Sequence, residues 1–155
     1  MSEIRIEDVI IETLTGDSQM NALDFIFYLR TIEQDGKITI TINDENDKTG
    51  WNVSDVGFII INGSYEFPGP WGMFIGTDNI IEHSDFPVDE HIKEITWANM
   101  APCGKCNSDC TGGSIRRTVF GKDFIDICNL IFVNPDSKVV DCMKKIIDIK
   151  MINTN

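Results

Sequence analysis

Val56-Gly57-Phe58-Ile59-Ile60-Ile61, then Asn62-Gly63, then Trp71-Gly72-Met73-Phe74-Ile75 is the stretch that decides the fold. An apolar run of strand length, rich in β-branched residues, reads as a buried strand. Asn-Gly is the strongest short signal for a hairpin, and the second apolar run supplies a returning strand. Pro68-Gly69-Pro70 between them lacks the donors a regular ladder needs, so a bulged or looped edge is expected there. Residues 51–77 therefore read as β throughout.

Working outward, Ile38, Ile40 and Ile42 alternate with Lys37, Thr39 and Thr41, the period of a half-buried strand over 37–42. The polar residues 43–50 read as a loop. Farther upstream, Ile6, Val9, Ile10 and Leu14 recur at helical spacing, and 15–18 supply a stop and fresh N-cap candidates. A second helix over 18–32 carries Met20, Leu23, Ile26, Phe27 and Leu29 on one broad stripe. Downstream, Pro87 opens a short helix with Val88, Ile92, Ile95 and Asn99 on one face, ended by Ala101-Pro102. Residues 115–120 and 124–133 read as strands around Gly121-Lys122. Asn134-Pro135-Asp136 then supplies an N-cap, a first-turn proline and an acid for a last helix burying Val139, Met143, Ile146, Ile147 and Met151. This order predicts α+β: one domain over 1–155, a mainly antiparallel sheet of about five strands, and helices packed largely on one face.

The chain has 155 residues, 42% of them hydrophobic and 25% charged, which is the composition of a protein with a packed core. With 13 basic against 25 acidic side chains the net charge is −12, so a nucleic-acid-binding surface and a polybasic membrane patch are not expected. No apolar run reaches the roughly 20 residues of a spanning helix, and the first residues lack the pattern of an export signal. The expectation is a soluble cytoplasmic protein whose partner is a small molecule or another protein.

Five cysteines are an odd number, and in this setting a disulfide framework is the weaker reading. Cys103, Cys106 and Cys110 fall within eight positions, in a segment loosened by Gly104, Asn107, Gly112 and Gly113. A C-x-x-C turn lets two thiolates reach one zinc ion, and Cys128 is the natural fourth donor. Residues 1–92 carry 4 basic and 18 acidic side chains, a net of −14, whereas 93–122 carry 5 against 2, a net of +3. The one cationic island thus surrounds the cysteines, where it would stabilise thiolates. A structural zinc held by Cys103, Cys106, Cys110 and Cys128 is the expectation; without metal, the same four thiols could oxidise to disulfides. For Cys128 to reach the others, strand 124–133 should pair with 115–120. Cys142, beside the apolar stripe of the last helix, is expected to be buried and unreactive.

These elements resemble a family of small bacterial proteins of unassigned function. The resemblance rests on the cysteine-rich knuckle, on Phe120-Gly121-Lys122-Asp123-Phe124 with Cys128, and on Asn134-Pro135-Asp136 opening the last helix. It covers the last third well, and more loosely the Gly69-Pro70-Trp71 strand and the helix around residues 23–30. It implies that Cys128 belongs with the cluster, and it implies no activity.

Two enzyme readings compete. Pro102-Cys103-Gly104-Lys105-Cys106 is similar to the second half of the zinc nucleobase-deaminase signature, but His83-Ser84-Asp85 lacks the glutamate that shuttles the proton. Cys-Gly-Lys-Cys also resembles a redox pair, yet the residues after it are poor helix formers and give no dipole to lower a thiol pKa. For ligand binding, Trp51 and Trp71, with Tyr65 and Phe67, could wall an apolar pocket. Arg116, after Gly112-Gly113-Ser114, could meet an anion. His91 and Glu94 share a helix face but more often form a solvated pair.

Overall fold

A computed structural model describes residues 4–45, 48–61, 69–76, 88–102, 116–125 and 127–151. Among them are four helices: α1 (Ile6–Thr13), α2 (Gly16–Gln34), α3 (Glu90–Ala98) and α4 (Ser137–Met151). The strands are β1 (Ile40–Glu45), β2 (Lys48–Val53), β3 (Gly57–Ile61), β4 (Trp71–Gly76), β5 (Met100–Pro102), β6 (Arg116–Val119), β7 (Lys122–Ile125) and β8 (Ile127–Val133). Six of them form one antiparallel sheet in the order β1-β2-β3-β4-β8-β5, and β6 and β7 form a separate hairpin. The α+β class, the antiparallel sheet and the helices on one face are as expected from the sequence. The Asn62-Gly63 turn lies outside the described residues, but Ile61 pairs with Trp71, so β3 and β4 do form an antiparallel pair.

The period of two aligns the core. Ile42, Trp51, Ile59, Met73 and Phe132 are cross-strand partners in one row, and Ile40, Val53, Gly57, Ile75, Leu130 and Met100 in the next. Both rows face the helices, and their large side chains are buried except for Ile40, Ile42 and Met100, which are partly buried. Ile6 and Ile10 of α1, Phe25 and Leu29 of α2, and Val140, Met143 and Ile147 of α4 close over that face. Phe25 packs against Trp71 with ring centroids 5.9 Å apart. Tyr28 ties α2 to α4: its hydroxyl donates to the Asp148 carboxylate and lies 2.9 Å from the Lys144 carbonyl, while Lys144 pairs with Asp24 at 2.8 Å.

Several boundaries depart from the pattern. Helix α2 buries Ala22, Phe25, Ile26, Leu29 and Ile32 and leaves Met20 and Phe27 in solvent, a rotation away from the predicted stripe. Within the range read as a loop, residues 43–45 belong to β1 and 48–50 to β2, because a backbone ladder does not require apolar side chains. Residues 100–102, expected to end a helix, form β5 on the edge of the sheet. The strand read over 124–133 is two strands on either side of Asp126, each in a different sheet. Between β6 and β7, Phe120 (φ 50°) and Gly121 (φ 86°) form a two-residue turn with the twist a hairpin needs. The last helix is capped by Asp136, whose Oδ1 accepts the Val139 N–H at 2.9 Å. Asn134, the expected cap, takes φ 43°, and its side-chain oxygen accepts the Ser18 hydroxyl at 2.9 Å.

Two substitutions probe this arrangement. A Cβ added at Gly57 would fall 1.8 Å from the Phe74 carbonyl oxygen, so Gly57→Ala must part β3 from β4. It should cost at least about 2 kcal/mol in a urea titration. Asp136→Ala should remove about 1 kcal/mol by loss of the cap alone, with an unchanged far-UV spectrum.

Candidate functional site

The cysteine segment leaves the sheet at one defined point. Cys103, Cys106 and Cys110 lie outside the described residues, but Cys103 is the next residue after Pro102, the end of β5. Strand β5 pairs with β8, which carries Cys128. The register runs Met100 to Leu130, Ala101 to Asn129, then Pro102 to Ile127. One step on β5 thus spans two on β8, and Cys128 is the residue that this bulge leaves over. Bulges re-aim side chains and often sit beside functional sites. Of the expected pairing of strand 124–133 with residues 115–120, the first part forms, Phe124 with Arg117 and Ile125 with Arg116, whereas Ile127–Val133, which carries Cys128, pairs with β4 and β5. The same strand nonetheless meets the cluster's entry from the other side.

The exit of the segment is fixed as well. Arg116 is the first residue of β6. The β6–β7 hairpin is held to α3 by Trp97, whose Nε1 donates to the Val119 carbonyl at 2.8 Å. Lys122 places its ammonium 5.3 Å from the Trp97 ring centroid and 5.6 Å from that of Phe124, within cation–π range. Among the described residues no group of three or more His, Cys, Asp or Glu could hold a metal ion, and His91 and Glu94 are both exposed on α3.

Of the three residues expected to bind a ligand, Trp51 and Trp71 are both buried in the core. Trp71 is fully buried in the core, and its Nε1 has no hydrogen-bond partner among the described residues. Arg116 belongs to the separate hairpin. Of the three, Trp51 borders open space, a cleft of about 430 Å³ at the β1 edge of the sheet. Ile40, Ile42 and Trp51 are its floor, and Ile4, Arg5, Ile6, Arg30 and Glu33 its walls.

No family model, curated protein or solved structure matches this chain.

The walls of the cleft are set by an ionic chain running from α1 to β1. Arg30 clamps Glu7 with two bonds, Nε to Oε2 at 3.0 Å and Nη2 to Oε1 at 2.9 Å. Its Nη1 reaches Glu33 Oε1 at 2.9 Å, and Glu33 Oε2 accepts the Ile40 N–H of the edge strand at 3.0 Å. Arg5 adds a 3.3 Å contact to Glu7. The Arg30 hydrogen bonds hold the Glu7 carboxyl down at about 2, against an ordinary value of 4.5, and the Arg30 guanidinium is pushed upward in return. Sequence reading missed Arg5, Glu7, Arg30 and Glu33. Of their pairs only Arg30 with Glu33, at i and i+3, is visible in the order of residues.

A carboxyl whose folded pKa is depressed contributes stability above its unfolded pKa, and that contribution is lost as pH falls toward the folded value. Urea titrations should therefore show stability falling between about pH 4.5 and 2, with part of the slope due to Glu7. Glu7→Gln should flatten that part of the profile and leave the curve near pH 7 lower than wild type. Cys142 is buried against Thr96 and Ile92, and burial pushes its thiol up to about 11. Iodoacetamide at pH 8 should leave it unmodified in the native protein and label it fully in urea, as read by peptide mass.

Proposed function

We propose that this protein is a small binding domain in which Cys103, Cys106, Cys110 and Cys128 hold a structural zinc ion. One observation carries the reading: the strand that leads directly into Cys103 is paired with the strand that carries Cys128, at a bulge whose extra residue is Cys128 itself. Four thiolates on one ion form a site that protein alone can fill, which is the structural rather than the catalytic arrangement of zinc. Lys105, Arg116, Arg117 and Lys122 offset its negative charge in an otherwise acidic chain. The metal's role would be to tie residues 103–115 to the sheet, much as a disulfide ties a loop. The resemblance to cysteine-knuckle proteins likewise implies that Cys128 belongs with the cluster.

Metal analysis of protein purified without chelator should find about one zinc per chain. Cys128→Ser should lower that content and the thermal midpoint together, since metal binding and folding are linked. Zinc–sulfur distances near about 2.3 Å by X-ray absorption would identify the thiolate set. Metal-free protein that keeps the wild-type midpoint, or wild-type zinc content in Cys128→Ser, would overturn the reading.

A further inference from the structure

The cleft at the β1 edge combines isoleucine side chains with two guanidiniums. On the sheet side it is lined by the partly exposed Ile40 and Ile42 beside the largely buried Trp51, its accessible lining is more polar than apolar, and two guanidiniums stand on its wall. Buried aliphatic and aromatic surface favours an apolar body. The hydrogen-bonding balance of the wall decides what that body should carry.

Glu7 and Glu33 have both carboxylate oxygens engaged, by Arg5 and Arg30 in one case and by Arg30 and the Ile40 N–H in the other. Arg30 spends three of its five N–H donors on them, and Arg5, with its side chain 63% exposed, makes one 3.3 Å contact. Among the described residues the wall therefore has more spare donors, on Arg5 and Arg30, than spare acceptor positions, on Glu7 and Glu33. The Glu7 clamp also fixes the Arg30 guanidinium beside the apolar floor before any ligand arrives, which lowers the entropy lost on binding. The chain's net negative charge opposes an anion at long range. At physiological salt that field is screened beyond about 8 Å, and inside this distance the spare donors act.

The geometry points to a binding site for a small apolar monocarboxylate, with its hydrocarbon or aromatic body on Ile40, Ile42 and Trp51 and its carboxylate on Arg5 and the spare N–H groups of Arg30. This extends the binding-domain reading above and rests on it, but not on zinc, so the two can fail separately.

The test is a titration of the isotope-labelled full chain with 4-phenylbutyrate, followed by NMR of the isoleucine methyl groups and tryptophan indole N–H groups. Saturable shifts are expected at Ile4, Ile6, Ile40, Ile42 and Trp51, which line the cleft, and not at Trp71, which does not. The neutral 4-phenylbutanol should bind about tenfold more weakly, the scale of a charge-assisted pair. Arg5→Gln should weaken the acid by a similar factor and leave the alcohol unchanged; Arg5 is exposed, so this variant keeps the fold. The absence of saturable shifts at millimolar acid, shifts centred elsewhere, or equal binding of acid and alcohol would overturn the proposal. So would an Arg5→Gln variant that binds the acid as wild type does. If wild-type protein carries zinc but shows none of these shifts, the metal reading stands and the carboxylate site falls. If the shifts appear in protein that binds no zinc, the carboxylate site stands and the metal reading falls.

Discussion

The pairing of β4 with β8 is the constraint on which the rest of the structure depends. Strands β1 to β4 form a meander in which each strand pairs with its neighbour in sequence. Strand β8 joins that meander from more than fifty residues away, with Met73 opposite Phe132 and Ile75 opposite Leu130. This register brings apolar side chains of five strands into single rows, over which α1, α2 and α4 can close. It also sets the far edge of β8, to which β5 adds. A slip by one residue would turn Leu130 and Phe132 toward the outer face, and would remove β5 from its position beside Cys128.

The helix layer is held by fewer, more specific contacts. Arg30 joins α1 to α2 through Glu7 and, by way of Glu33, reaches the edge strand. Tyr28 and Lys144 join α2 to α4. The cleft lies where the first of these connections spans the gap between helix and sheet. At the other end of the sheet, Trp97 performs a similar task for the β6–β7 hairpin. The two candidate sites thus occupy opposite edges of one sheet, each beside an anchored neighbour.

How much of this could be read from the order of residues depends on the range of the interaction concerned. The runs at 56–61 and 71–75 are β-branched or aromatic enough to be strands whatever surrounds them, and they define the class of fold. The stripe of α2 misleads because Met20 and Phe27 are as apolar as Phe25 and Ala22; only the position of the sheet decides which ones it covers. Strand β5 has three residues and ends in proline, so it has no period to detect and exists because β8 has an edge to fill. The change of sheet between Ile125 and Ile127 is equally invisible, since the alternation Phe124, Asp126, Cys128, Leu130, Phe132 continues through it. The ligand residues named from sequence include aromatic side chains at strand spacing, and such residues go to the core when both neighbouring strands are interior, as with Trp71. Trp51, one strand from the edge, is buried in the core as well, although it also lines the cleft. The ionic chain of the cleft is not legible because Glu7 and Arg30 are joined only by the packing of two helices.

The long separation between β4 and β8 has a consequence for the order in which the protein can be made. A chain leaving the ribosome presents α1, α2 and the β1–β4 meander well before β8 is synthesised. During that interval the free edge of β4 carries a row of unpaired backbone groups beside Trp71, Met73 and Ile75, all of them buried in the finished fold. Any truncation ahead of residue 127 leaves this edge permanently open. The last third of the chain therefore serves as the cover that keeps the first two-thirds from pairing with other copies of itself.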